Sequence, residues 1–382
     1  MSKVARWSLY VIGGGAVLLL LVAVGGAAAA WWTRYPGHDA PRAPVTVIEG
    51  GERFAPARDT VLENTRIVVD GERIACVGDT CAVPENARRI DASGHAVLPG
   101  LIDLHVHMDA PAGDALNAAV PPAAMMWSYV RHRPAVRRSF LAHGVTTIRS
   151  VGDPIGHRFG VLRRRAQIRR HALAGPRVVT TGPTVTAPEG HPAGTIYEGN
   201  AWLIRHATRQ VAHADTARAR IQALAERGVD GIKVIYEAGS PEHPLPRLDR
   251  TVVEAVVDEA QNHNLWVAAH TSSAEEMRHV LATGGVRTIE HGAHQDTLSA
   301  ETIEQMNAQD VILVPPPERL AIRTPSRWAE VWHQPQHRPH PPALASACPL
   351  VAAPIGVWRS TLPAHAEKEC RRVASIPFVR NR

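Results

Sequence analysis

Lysine is nearly missing from this chain. Its 382 residues hold three, Lys3, Lys233 and Lys368, among 42 basic side chains. The positive charge is written as arginine almost everywhere, so a lysine inside the fold calls for an explanation. Cysteine is scarce as well, and four of them exclude a disulfide-scaffolded fold. Cys76 and Cys81 sit close together in "ACVGDTC". Two readings stay open for them, a bridge across a tight turn in an oxidising compartment or a pair of free thiols. Net charge is missing from the main body: residues 1–320 carry 33 basic and 33 acidic side chains. The formal excess of +6 falls wholly in residues 321–382, with nine basic and three acidic groups. The body therefore has no electrostatic footprint for a polyanion, and no nucleic-acid partner is expected. No aspartate follows Asp310.

What is present is a globular composition, 45% hydrophobic, in a chain long enough for a large core and two domains. Lys3 and Arg6 precede a nearly uncharged stretch, Trp7 to Trp32, containing "VIGGGAVLLLLVAVGGAAAA". A secretory apolar region runs about 7–15 residues and a spanning helix about 20. Residues 1–35 thus read as a signal anchor in the inner membrane, or as a signal peptide cut after the alanine run. Either places the body in the periplasm. Residues 36–44 form a linker rich in turn residues. Residues 45–97 read as a small β-domain, with a hairpin signal at Asp70-Gly71.

From residue 98 to 316 strand-like and helix-like segments alternate. The strands are "LPGLIDLHVH", "VTTIRSV", "RVVTTG", "GIKVIY", "LWVAAH", "RTIEHG" and "VILVPP". Repeated β-then-α units imply a parallel sheet with helices outside, and seven strands make an incomplete (β/α)8 TIM-like barrel. An N-cap at Asp215, a helix stop at Gly175 and a solvated arginine face over 163–170 are the local expectations. Residues 317–382 break the pattern: 12 of the 30 prolines lie between Pro315 and Arg382. Proline removes ladder donors and breaks helices, so no barrel continues there. A disordered tail and a shifted reading frame in a GC-rich gene both account for that composition.

His105 and His107 lie two apart at the end of a strand, so their side chains share a face at the C-terminal end, where barrel active sites sit. Lys233 stands inside a strand expected to be buried, where lysine, unlike arginine, can lose its proton. His270 and His291 end the next two strands. "LPGLIDLHVHMD", "GVTTIRSVGD", "GIKVIYE", "VAAH" and "IEHGA", in this order, resemble the amidohydrolase superfamily, in its imidazolonepropionase-like and prolidase-like branch. The resemblance covers residues 45–316. It implies a hydrolase of carbon–nitrogen bonds acting on a small amide, a dipeptide or a cyclic amide. It also implies two divalent metal ions, zinc by the family's habit. His105 and His107 would hold one and His270 and His291 the other, with a carbamate on Lys233 bridging them. Imidazole suits zinc, and two cations polarise the scissile carbonyl and acidify a water.

The family also uses an aspartate at the end of strand eight, in a Gly-Thr/Ser-Asp turn. This chain has no such turn, and Asp296 and Asp310 are not credible substitutes. A catalytically inactive derivative that binds metal or a partner is accordingly the alternative. His191, in the loop "TAPEGHPAGT", and Tyr236 are candidate substrate contacts, each weighed against a plain structural role. Ser150 stands where many relatives carry an aspartate.

Overall fold

A computed structural model describes residues 13–26, 45–55, 60–109, 133–154, 160–293 and 295–314. The expected linker, the tail 317–382 and most of the flanks of the apolar N-terminal stretch lie outside the described residues. Helix α1 (13–26) is exposed along its length. Among the described residues, no helix is long and apolar enough to cross a membrane.

Five strands build the small β-domain: β1 (Thr46–Ala55), β2 (Thr60–Asp70), β3 (Arg73–Val77), β4 (Arg88–Asp91) and β5 (Ala96–Val97). Their order is β3-β2-β1-β4, with β5 also on β1. The expected hairpin is there: Asp70 pairs with Arg73, and Gly71 takes φ +56°, a conformation glycine reaches without a Cβ penalty. Cys76 and Cys81 are bridged, their Cα atoms 5.9 Å apart. Cys81 packs with Val47 and Val68 in the domain's own small core.

The barrel follows as β6 (Leu101–Val106), α2 (133–142), β7 (Val145–Val151), α3 (Val161–Arg169), β8 (Arg177–Gly182), β9 (Thr184–Thr186), α4 (Ala201–Ala207), β10 (Thr208–Gln210), α5 (Ala214–Glu226), β11 (Gly231–Ile235), a short hairpin of β12 (Gly239–Ser240) and β13 (His243–Pro244), α6 (Arg250–Asn262), β14 (Trp266–His270), α7 (Ala274–Leu281), β15 (Val286–Glu290), α8 (Ala300–Ala308) and β16 (Ile312–Val314). One parallel sheet runs β6-β7-β8 and a second β10-β9-β11-β14-β15-β16. The third barrel strand is split into β8 and β9 at Pro183, which has no N–H for the ladder. The two halves stay joined where Asp230 N donates to Thr180 O (2.8 Å). Counting β8 and β9 as one and leaving aside the short β10, which pairs only with β9, seven strands stand in sequence order. Among the described residues β6 and β16 are not paired, so the barrel is open. Ile102 and Ile312, on those two edge strands, are 52% and 42% exposed.

Apolar side chains of the strands and of α5 to α7 form one continuous core, including Ile232, Val234, Val256, Val267, Met277 and Ile289. Helix starts and stops depart from the sequence reading in two places. The cap of α5 is His213, with Asp215 inside the first turn, where a carboxylate still complements the helix dipole. Helix α3 is capped at Arg170, and the left-handed residue after it is His171 (φ 57°), not Gly175. Gly175 serves close packing instead: a Cβ there would lie 2.9 Å from Ile168 and 3.0 Å from Arg137. Nor is the arginine run uniformly solvated. Arg165 turns in to Asp230, and Arg164 Nε lies 3.6 Å from the buried Asp109.

Candidate metal centre

The C-terminal ends of β6, β11, β14 and β15 deliver His105, His107, Lys233, His270 and His291 to one region. Register explains how. Along the parallel β11–β14 ladder Lys233 pairs with Ala268 and Ile235 with His270, and His270 then pairs with Glu290 of β15. His105 and His107 have ring centroids 5.4 Å apart, His105 and His291 4.6 Å, and His270 and His291 4.5 Å. His291 sits at φ +67°, a region few non-glycine residues enter, and its N–H donates to Val314 O (2.9 Å). Gly152, at φ +88°, makes room beside His107. A Cβ there would stand 2.6 Å from Thr184 Oγ1 and 3.5 Å from the His107 ring.

Burial sets the electrostatics. It pushes the His107 imidazole down to about 3, and the neighbouring His105 and Lys233 act in the same direction. It holds His270 and His291 well below the ordinary histidine range for the same reasons. All three imidazoles are therefore neutral at physiological pH, the form that binds a metal. Lys233 is 2% exposed, and among the described residues its Nζ has no hydrogen-bond partner. Desolvation lowers its ammonium to about 8, with the Glu290 charge opposing.

Two carboxylates escaped the sequence reading. Glu290 is fully buried. It accepts from His105 Nδ1 at 2.5 Å, Arg149 Nη2 at 2.6 Å and Thr288 Oγ1 at 2.6 Å. Burial alone would raise it, yet Lys233, the His105 bond and Arg149 hold it well below the usual carboxylate range. Arg149 also donates to Leu104 O (2.6 Å), fixing β7 against β6. With its Nδ1–H on Glu290, His105 keeps the Nε2 lone pair for a ligand. Glu237, just past β11, lies 2.9 Å from His270 Nε2. A signal for Glu290 was there: it alternates with Thr288 on a strand otherwise made for burial.

His191 is brought to the cluster, its ring 5.1 Å from His270. Tyr236 is not. Its hydroxyl lies 3.0 Å from His279 Nδ1 of α7 and Arg247 covers its ring at 4.8 Å, on the helix-facing side of the strand. Ser150 donates to Asp153 and accepts from Met108 N–H (2.9 Å). Asp153 is raised to about 7 by burial and the nearby Asp109. Asp296 accepts from Ala274 N (2.8 Å) at the start of α7, and Asp310 is exposed just before β16.

The profile described as "Amidohydrolase family" matches residues 96–337. An imidazolonepropionase of Paenarthrobacter aurescens is 50% identical over 48 residues, 13% of this chain and 12% of that protein. A dihydroorotase of Mycobacterium tuberculosis is 45% identical over 49 residues, 13% of this chain and 11% of that protein. The chain thus matches only about an eighth of the length of these curated relatives. Among solved structures, a prolidase complexed with N-methylphosphonate-L-proline is 27% identical with a TM-score of 0.60, over 75% of this chain and 72% of that one. A Xaa-Pro dipeptidase with methionine in its active site is 26% identical with a TM-score of 0.58, over 71% and 66%.

Proposed function

The chain belongs to the amidohydrolase family, and on that premise we propose that it is a metal-dependent hydrolase of carbon–nitrogen bonds. The observation that carries this is Lys233: a buried amine with no hydrogen-bond partner among the described residues, among neutral imidazoles, at the C-terminal mouth of the barrel. An unpaired buried amine costs stability unless a further group completes it, and a carbamate on Lys233 would do so by supplying an anionic metal ligand. His105, His107, His270 and His291 would hold the cations, as a nitrogen-rich set suited to zinc. A divalent cation held there supplies Lewis acidity and acidifies a water.

The chain's own residues do the rest. Arg149 and Thr288 fix Glu290, which fixes the tautomer and ring of His105. Gly152 keeps space for His107. His191 stands over the mouth, where it can orient a substrate, and the prolidase-like neighbours support a small dipeptide or related amide as that substrate. The Cys76–Cys81 bridge supports an exported protein, since such bridges persist in oxidising compartments.

A specific observation favours a second reading, an inactive metal-binding derivative. No aspartate stands at the C-terminal end of a strand after β15 among the described residues, and Asp296 is committed to α7. One experiment separates the readings. The full chain is purified, its zinc is counted, and a dipeptide library is assayed beside His270→Ala. Zinc that is lost in Lys233→Ala, with turnover above the control, is the expected result. Zinc without turnover selects the inactive derivative, and no zinc overturns both.

A further inference from the structure

Three side chains at the barrel mouth make a set of their own, distinct from the His105–His107 pair. The ligand atoms of His191, Glu237 and His270 all lie within 4.8 Å of one another. His191 comes from the loop after β9, and that loop is built to hold it. Thr186 Oγ1 donates to the His191 carbonyl (2.6 Å), and Thr195 Oγ1 meets His191 Nδ1 (2.9 Å). With Nδ1 engaged, Nε2 is left to meet a ligand. Glu237 and His270 are tied together through the backbone, because Tyr236 N–H donates to His270 O (2.9 Å). Their side chains are 13% and 12% exposed, open to a small ion and otherwise desolvated.

We propose that His191, Glu237 and His270 bind one divalent cation of the zinc class, Glu237 supplying the anionic ligand that no aspartate at a strand end provides among the described residues. The inference rests on the metal-dependent reading, with which it shares His270. Two imidazoles and a carboxylate suit zinc and its neighbours, not the all-oxygen shells of calcium or magnesium. The other carboxylates nearby are already spent. Glu290 serves His105, Arg149 and Thr288, and Asp153 serves Ser150 and the Asp109 amide. Without the ion, Glu237 lies 2.9 Å from His270 Nε2, and a cation held between them would leave the single His270 proton on Nδ1.

The test uses the full chain, dialysed against zinc at about neutral pH, with bound ions counted by mass spectrometry and cobalt(II) absorption recorded in parallel. Glu237→Gln and His191→Asn are each expected to lose one ion, or to bind it about tenfold or more weakly, and to lose part of the cobalt spectrum. His105→Asn is expected to leave that part in place. Melting curves of the apo variants identify any that fail to fold, and Glu237→Asp, keeping the carboxylate, is expected to restore the ion. Wild-type ion count and cobalt spectrum in both Glu237→Gln and His191→Asn would overturn the inference. If His105→Asn then still loses an ion, the functional reading survives alone. A wild-type chain that binds no zinc overturns both.

Discussion

Replacing Glu290 by glutamine keeps the side chain's shape and removes one buried charge. The wild-type carboxylate is fully buried and accepts from His105, Arg149 and Thr288. Arg149 is itself 7% exposed, so the change leaves a guanidinium inside the barrel without its counter-charge. Removing one member of a buried pair costs about 3–5 kcal/mol. Here Arg149 keeps Leu104 O and Thr288 Oγ1, and a glutamine carbonyl still accepts one bond. The expected loss is therefore at the lower end, about 3 kcal/mol. For a domain of this size that lowers the melting temperature by about 6–12 °C. The sign with pH is fixed: a carboxylate held below its ordinary 4.5 stabilises the folded chain above that pH and loses this effect in acid. The gap between wild type and Glu290→Gln should be full at neutral pH and close as the pH falls. The assay is metal-free thermal unfolding, with the exposed Glu254→Gln as control. A Glu290→Gln chain that melts within about 2 °C of wild type at neutral pH would refute the reasoning.

Lys233 yields a prediction of the same pH sense in an alkaline window. Its folded value of about 8 lies below the ordinary 10.5, so the folded chain binds fewer protons between those limits. Stability of the metal-free protein in CO2-free buffer should rise across that window, by at most ~3 kcal/mol. Lys233→Met should abolish the rise, and a flat urea midpoint in wild type would count against it. Gly152→Ala should cost about 2 kcal/mol, from a positive φ and a Cβ against Thr184 Oγ1. An unchanged melting curve for that variant would show that the β7–β9 junction yields more easily than its geometry suggests.

The barrel was legible because its strands are written twice, once as apolar runs and once as the polar residues that end them. "GIKVIY" and "LWVAAH" became β11 and β14 with Lys233 and His270 where the alternation put them. The split at Pro183 was not legible as a break, since the run on either side keeps strand character. Nor were β10 and the β12–β13 hairpin, which are too short to show a period. The carboxylates were missed for a different reason. Glu290 and Glu237 each sit one residue from a position already singled out, and an acid there reads as solvated. Only the fold supplies Arg149 and His105, 141 and 185 residues away in the chain, to make burial of Glu290 tolerable. The Cys76–Cys81 pair was balanced between two readings until the hairpin brought the Cα atoms to 5.9 Å.

The register of β11, β14 and β15 has a consequence for how this chain can vary. The ladder sets Ile235 opposite His270 and His270 opposite Glu290. Because side chains alternate, deleting one residue inside β14 would swing His270 from the mouth to the helix side and carry its neighbours with it. A residue gained or lost in the turns before β14 or β15 shifts no such pairing. Point changes aside, the strands of this protein therefore tolerate no change of length, while its turns are free to lengthen, and any diversity among chains of this design should accumulate as insertions between the strands.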